Sequence, residues 1–135
     1  MKHIIAVVAI TFILLTALVI PETKAEEPAY TPQPGDEVVI YLMKFKPEDF
    51  EKGKKIQVNE FSKAMQESGQ TRHTYFLEDA ENNNTLAVSF FSKGHETQKW
   101  HNDDKRQEVL DKLKPMWREP QTIEKFKLVD SHTTE

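Results

Sequence analysis

The sequence contains no cysteine, only four glycines, and no excess of basic residues: 18 Lys and Arg stand against 22 Asp and Glu in 135 residues. Each shortage excludes something. Without cysteine there is no disulfide, no thiolate metal site and no cysteine nucleophile. Four glycines form neither a phosphate-cradling loop nor a dinucleotide fingerprint, and no Ser-His-Asp arrangement stands out. A formal charge of −4 with no basic cluster argues against nucleic acid, whose affinity comes mainly from neutralised phosphates.

What is present begins with a leader. Lys2 and His3 precede an uncharged apolar run, Ile4–Ile20; Pro21 breaks it, and Thr23-Lys24-Ala25 offers a small-residue cleavage site. This is the layout of a secretory signal over residues 1–25, for export to the periplasm or the exterior. The run would extend about 25 Å as a helix, just short of the ~30 Å hydrocarbon layer, so an uncleaved membrane anchor is the alternative. Cleavage removes Lys2, Lys24 and Glu22 and takes the net charge to −5. Residues 26–37, with three prolines and one glycine, read as an extended tether outside the core.

The domain proper, residues 38–130, alternates strand and helix signals, and 131–135 reads as a flexible tail. Val38–Lys46 is the first strand, with Val39, Tyr41, Met43 and Phe45 on one face. Pro47 opens a helix with Glu48 and Asp49 in its first turn; Phe50, Ile56, Phe61, Ala64 and Met65 mark its apolar stripe, imperfect around Gly53, and Gly69 stops it. Thr71–Glu78 and Thr85–Ser92 form a hairpin around Asn82-Asn83-Asn84. Gly94–His101 predicts a short helical piece. Asn102 or Asp103 caps a helix running through Val109, Leu110, Leu113 and Met116 or Trp117, which Pro115 kinks or ends early. Thr122–Val129 is the last strand. The order β-α-β-β-α-β predicts an α+β, ferredoxin-like split βαβ fold, an antiparallel sheet with both helices on one face. The first and third strands are apolar at both parities, so the other face asks for a second layer, which a homodimer would supply.

Val88-Ser89-Phe90-Phe91-Ser92-Lys93, then Trp100-His101-Asn102-Asp103, and the run Leu110–Pro120 carry a family resemblance. Over Val38–Val129 the chain resembles the dimeric α+β barrel proteins of the antibiotic-biosynthesis-monooxygenase type. That resemblance implies a homodimer, and a cavity between sheet and helices for a small apolar aromatic, quinol-like ligand. It also implies oxygenation by molecular oxygen with no metal or flavin cofactor. The family's haem-degrading branch uses an Asn, a Trp and a His; here the first strand has no Asn, and Leu110 stands where the histidine would fall. Phe91 stands where the family often has Trp, and Trp100 where it often has His, with His101 next.

The candidate residues follow. His101, with an ordinary pKa of about 6.5, suits a base for a phenolic proton. His73 on the second strand is a second candidate base; Tyr75 shares its face, Arg72 points to the other, and Tyr75 would orient a ligand hydroxyl from a cavity or else decorate the sheet. Phe91 and Trp100 would wall an apolar pocket. His73, His95 and His101 come from different elements without metal-ligand spacing, so no metal is expected. Asp103-Asp104 reads as a helix start. The expectation is an exported, cofactor-independent monooxygenase-like protein; the alternative is a non-enzymatic ligand-binding or envelope protein-interaction module on the same fold.

Overall fold

A computed structural model describes residues 31–92 and 94–134 of the chain. Four strands, β1 (Glu37–Phe45), β2 (His73–Asp79), β3 (Asn84–Phe91) and β4 (Trp117–Lys127), make one antiparallel sheet in the order β2-β3-β1-β4. Alternation builds it: Val39, Tyr41, Met43 and Phe45 of β1, and Thr85, Ala87, Ser89 and Phe91 of β3, are all buried on one face, where the helices pack. The expected α+β fold with helices on one face is what the chain adopts. The leader lies outside the described residues, as do residues 26–30 of the tether. The tether's last part is tied down: Gly35 N–H donates to Leu128 at 2.7 Å, Leu128 N–H to Asp36 at 2.8 Å, and Asp36 is buried.

The first helical layer enters through a 3-10 turn, Pro47–Asp49, and consists of α1 (Phe50–Ile56) and α2 (Ser62–Ser68), joined by a π-helical segment, Gln57–Phe61. The sequence predicts one regular helix here. The extra residue of the π turn rotates Gln57 and Phe61 both into the core. Gly53, the flaw in the apolar stripe, is a close approach: a Cβ there would lie 2.3 Å from the Phe45 ring. Gly69 ends α2 in the left-handed region at φ 68°.

The second layer is α3 (Gly94–His101) and α4 (Asp104–Leu113). Asp103 caps α4, its carboxylate accepting from the Lys105 and Arg106 amides at 2.9 and 3.1 Å. The helix ends at Leu113, before Pro115, in a 3-10 turn, Lys114–Met116. Trp117 therefore opens β4 instead of closing the helix. β4 starts five residues earlier than the sequence suggests because it is an edge strand, where Pro120 sacrifices no sheet bond, and its register slips between Leu42 and Phe45 of β1. Among the described residues no helix is long and apolar enough to cross a membrane.

Candidate functional site

A cavity lies between the middle of β1 and the two helical layers. Its wall is Tyr41 and Met43 of β1, Ala87 of β3, Gln57, Phe61 and Met65 of the first layer, Trp100 and Arg106 of the second, and Gln121 of β4. About 250 Å³ of atom-free space lies within it and at its mouth, part of it open to solvent, and the interior admits about one water molecule. Three contacts fix the wall. At the junction of β3 and α3, Ser92 Oγ donates to buried Glu96 at 2.5 Å while Arg72 reaches both at 2.9 and 3.2 Å. That latch sets the start of α3, and Trp100, one turn on, lands at 1% exposure with its ring edge-on to Phe61.

His101 closes α3. Its Nε2 lies 2.7 Å from the Tyr41 hydroxyl, sixty residues away in sequence. Burial holds the Tyr41 phenol well above its ordinary range, with Glu37 adding to the rise and Arg106 and Trp100 opposing it. Burial also pushes His101 down to about 4, helped by the positive charges of Arg106 and Lys125 and opposed by Glu37. Both groups are neutral at physiological pH. We assign the phenol as donor to the Nε2 lone pair, which leaves the imidazole proton on Nδ1.

Arg106 is the third member. It is 6% exposed; its guanidinium lies 5.8 Å from the Tyr41 ring centroid and 6.0 Å from that of Trp100, and Nη1 donates to the His101 carbonyl at 3.2 Å. Among the described residues no carboxylate pairs with it. Burial lowers its pKa, while Tyr41 and Asp103 raise it. Opposite stands Gln57, 1% exposed, whose Oε1 accepts from Thr85 Oγ1 at 2.5 Å and whose Nε2 has no hydrogen-bond partner among the described residues.

Of the residues singled out from sequence, Trp100 lines this cavity, and His101 stands behind its wall, joined to it through Tyr41. Phe91 is fully buried on the same sheet face, in the core and not in the cavity wall. His73 and Tyr75 are elsewhere: paired with Phe90 and Val88, they sit on the open face of the sheet, their rings 4.5 Å apart, separated from His101 by the sheet itself. The alternation of β2 allowed either face, and Thr74 and Phe76 took the covered one. Among the described residues no group of three His, Asp or Glu side chains is placed to hold a metal.

Tyr41, Gln57, Arg106 and Gln121 were missed. Two had a signal. Gln57 falls at helical spacing between Gly53 and Phe61, and Arg106 precedes Val109, Leu110 and Leu113 by three, four and seven positions, a charge on a buried stripe.

No family model and no curated protein matches the sequence. Solved structures do match. One is an antibiotic biosynthesis monooxygenase candidate from Caulobacter crescentus, with a TM-score of 0.65 at 12% identity, covering 72% of this chain and 92% of that one. The fold is that of the antibiotic-biosynthesis-monooxygenase type. A candidate of the same name from Nitrosomonas europaea aligns with a TM-score of 0.62 at 12% identity over 73% of this chain and 94% of its own. A further antibiotic biosynthesis monooxygenase gives 0.62 at 10% identity, over 70% and 99%. At such identities the likeness concerns the monooxygenase-type fold alone, and the chemistry must be argued from the cavity.

Proposed function

We propose that the chain is an exported, homodimeric monooxygenase-like protein that takes up a small apolar aromatic compound of the quinol type and oxidises it with dioxygen. The observation that carries this reading is the neutral Tyr41–His101 pair at 2.7 Å, whose Tyr41 lines the cavity with His101 behind it. The interior admits only one small atom, so the ring lies at the mouth, against Ile123, which pairs with Tyr41 across the sheet and is 43% exposed. The ligand's hydroxyl points inward. His101, through Tyr41, accepts the phenolic proton, and Trp100, Phe61 and Met43 keep bulk water from the resulting anion. The anion, delocalised onto a ring carbon, delivers electrons to dioxygen. A carbon–oxygen bond forms, and the hydroperoxide loses water. In total an activated ring C–H₂, in the keto form, and O₂ become C=O and one H₂O, with no further reductant.

The test uses anthrone as probe, following anthraquinone and oxygen uptake together. The expected outcome is turnover above the uncatalysed rate that drops about 10²-fold in His101→Ala, with His73→Ala unchanged. Equal rates in wild type and His101→Ala would sink the assignment. The water-sized interior favours a second reading, sequestration without chemistry, which predicts saturable anthrone binding with no oxygen uptake. Export through cleavage after Ala25 predicts a mature protein beginning at Glu26, read by intact mass.

A further inference from the structure

The cavity has an electrostatic character that the oxygenase reading does not use. Two of its buried polar groups, Arg106 and Gln57, hold unspent hydrogens. Arg106 has five N–H donors, one of them given to the His101 carbonyl, and among the described residues no carboxylate pairs with it. Gln57 keeps its Nε2 unpaired because the Thr85 hydroxyl occupies its oxygen. The Tyr41 oxygen faces His101, and the remaining wall, apart from Gln121 at the rim, is apolar: Met43, Phe61, Met65, Ala87 and Trp100. An arginine removed from water without a counter-charge, and an amide N–H₂ removed from water without an acceptor, are each costly. One acceptor carrying negative charge between them would relieve both. The space is right for a single heavy atom.

We propose that Arg106 and Gln57 form a binding site for one anionic acceptor atom, either the oxygen of an ionised phenol or a free halide. The inference deepens the function above, because it specifies that the ligand is held as its anion. It is tested by binding alone, so a protein that binds and does not turn over separates the two.

4-Nitrophenol is the probe, since its phenolate absorbs in the visible and its neutral form does not. At a mildly acidic pH where the free compound is mostly neutral, the wild-type chain is expected to raise the phenolate band saturably. Arg106→Met, which replaces the cation with a chain of similar length, should abolish that rise. Gln57→Met should weaken binding about tenfold, as expected for loss of a hydrogen bond to a charged group. Circular dichroism spectra showing both variants folded keep the comparison valid. Bromide then distinguishes the sources: competitive displacement of the probe shows that a free halide also occupies the site, and no displacement reserves it for the phenolate. Uptake of 4-nitrophenol in its neutral form would mean that the Gln57 amide turns its oxygen inward, and would overturn the proposal. So would absence of binding by both probes, or undiminished phenolate binding in Arg106→Met.

Discussion

The two faces of the single sheet are built from the same two central strands and differ in an unexpected direction. The covered face holds the polar atoms: Thr85 and Ser89 are buried there among Val39, Met43 and Phe91, with Gln57 and Arg106 descending from the helices. The open face is the more uniformly apolar. Val38, Ile40 and Leu42 alternate there with Leu86, Val88 and Phe90, and Tyr75, Leu77 and Phe126 stand about half exposed. A face bearing buried polar groups can recognise and transform a ligand. A broad apolar face with few polar groups can only exclude water, which is what a second copy of the chain would do with it.

The covered face should be where truncation hurts most. Phe45→Ala removes a fully buried ring packed on Gly53 and Phe50, and a loss of about 3–5 kcal/mol in urea unfolding is expected. Gly53→Ala attacks the same contact by addition. Its new methyl would meet the Phe45 ring, costing about 1–3 kcal/mol, and Phe45→Leu in the same chain should recover part of that loss, whereas two independent defects would simply add. On the open face Val88→Lys should change the unfolding of an isolated chain by no more than about 0.5 kcal/mol. Its effect belongs to association: sedimentation should find wild type as a dimer and the variant as a monomer. A wild-type monomer would end the argument that the two faces have different partners.

A last expected effect is a pH dependence confined to the covered face. The folded-state pKa of His101 is lowered to about 4 from an ordinary 6.5. Between those values the unfolded chain binds the proton and the folded chain does not. The contribution of His101 to stability is therefore complete above about pH 6.5 and is lost as pH falls toward 4. A thermal midpoint that declines through this window, and declines less steeply in His101→Asn, is the expected result.

Much of the framework was legible one segment at a time. Alternation marked β1 and β3; Pro47, Gly69 and Asp103 marked helix ends, because start and stop chemistry acts over a few residues. The site was legible only in part. His101 stood out as a histidine beside a tryptophan, yet its partner Tyr41 looked like any strand aromatic, since nothing local records a contact across sixty positions. His73 and Tyr75 show the limit from the other side: they share a face, as alternation requires, and alternation is silent on which face the helices cover.

The order of strands and helices, and with it the ferredoxin-like topology, was determined by the amino-acid pattern, because hydrophobic period and capping are properties of neighbouring residues. Tertiary structure alone decided which face of the sheet became the site. It turned Gln57 inward through a π-helical turn, stripped Arg106 of water beside Tyr41 and Trp100, and brought His101 onto Tyr41. Burial and electrostatic environment are sums over the whole packed neighbourhood, and no short stretch of sequence contains that sum.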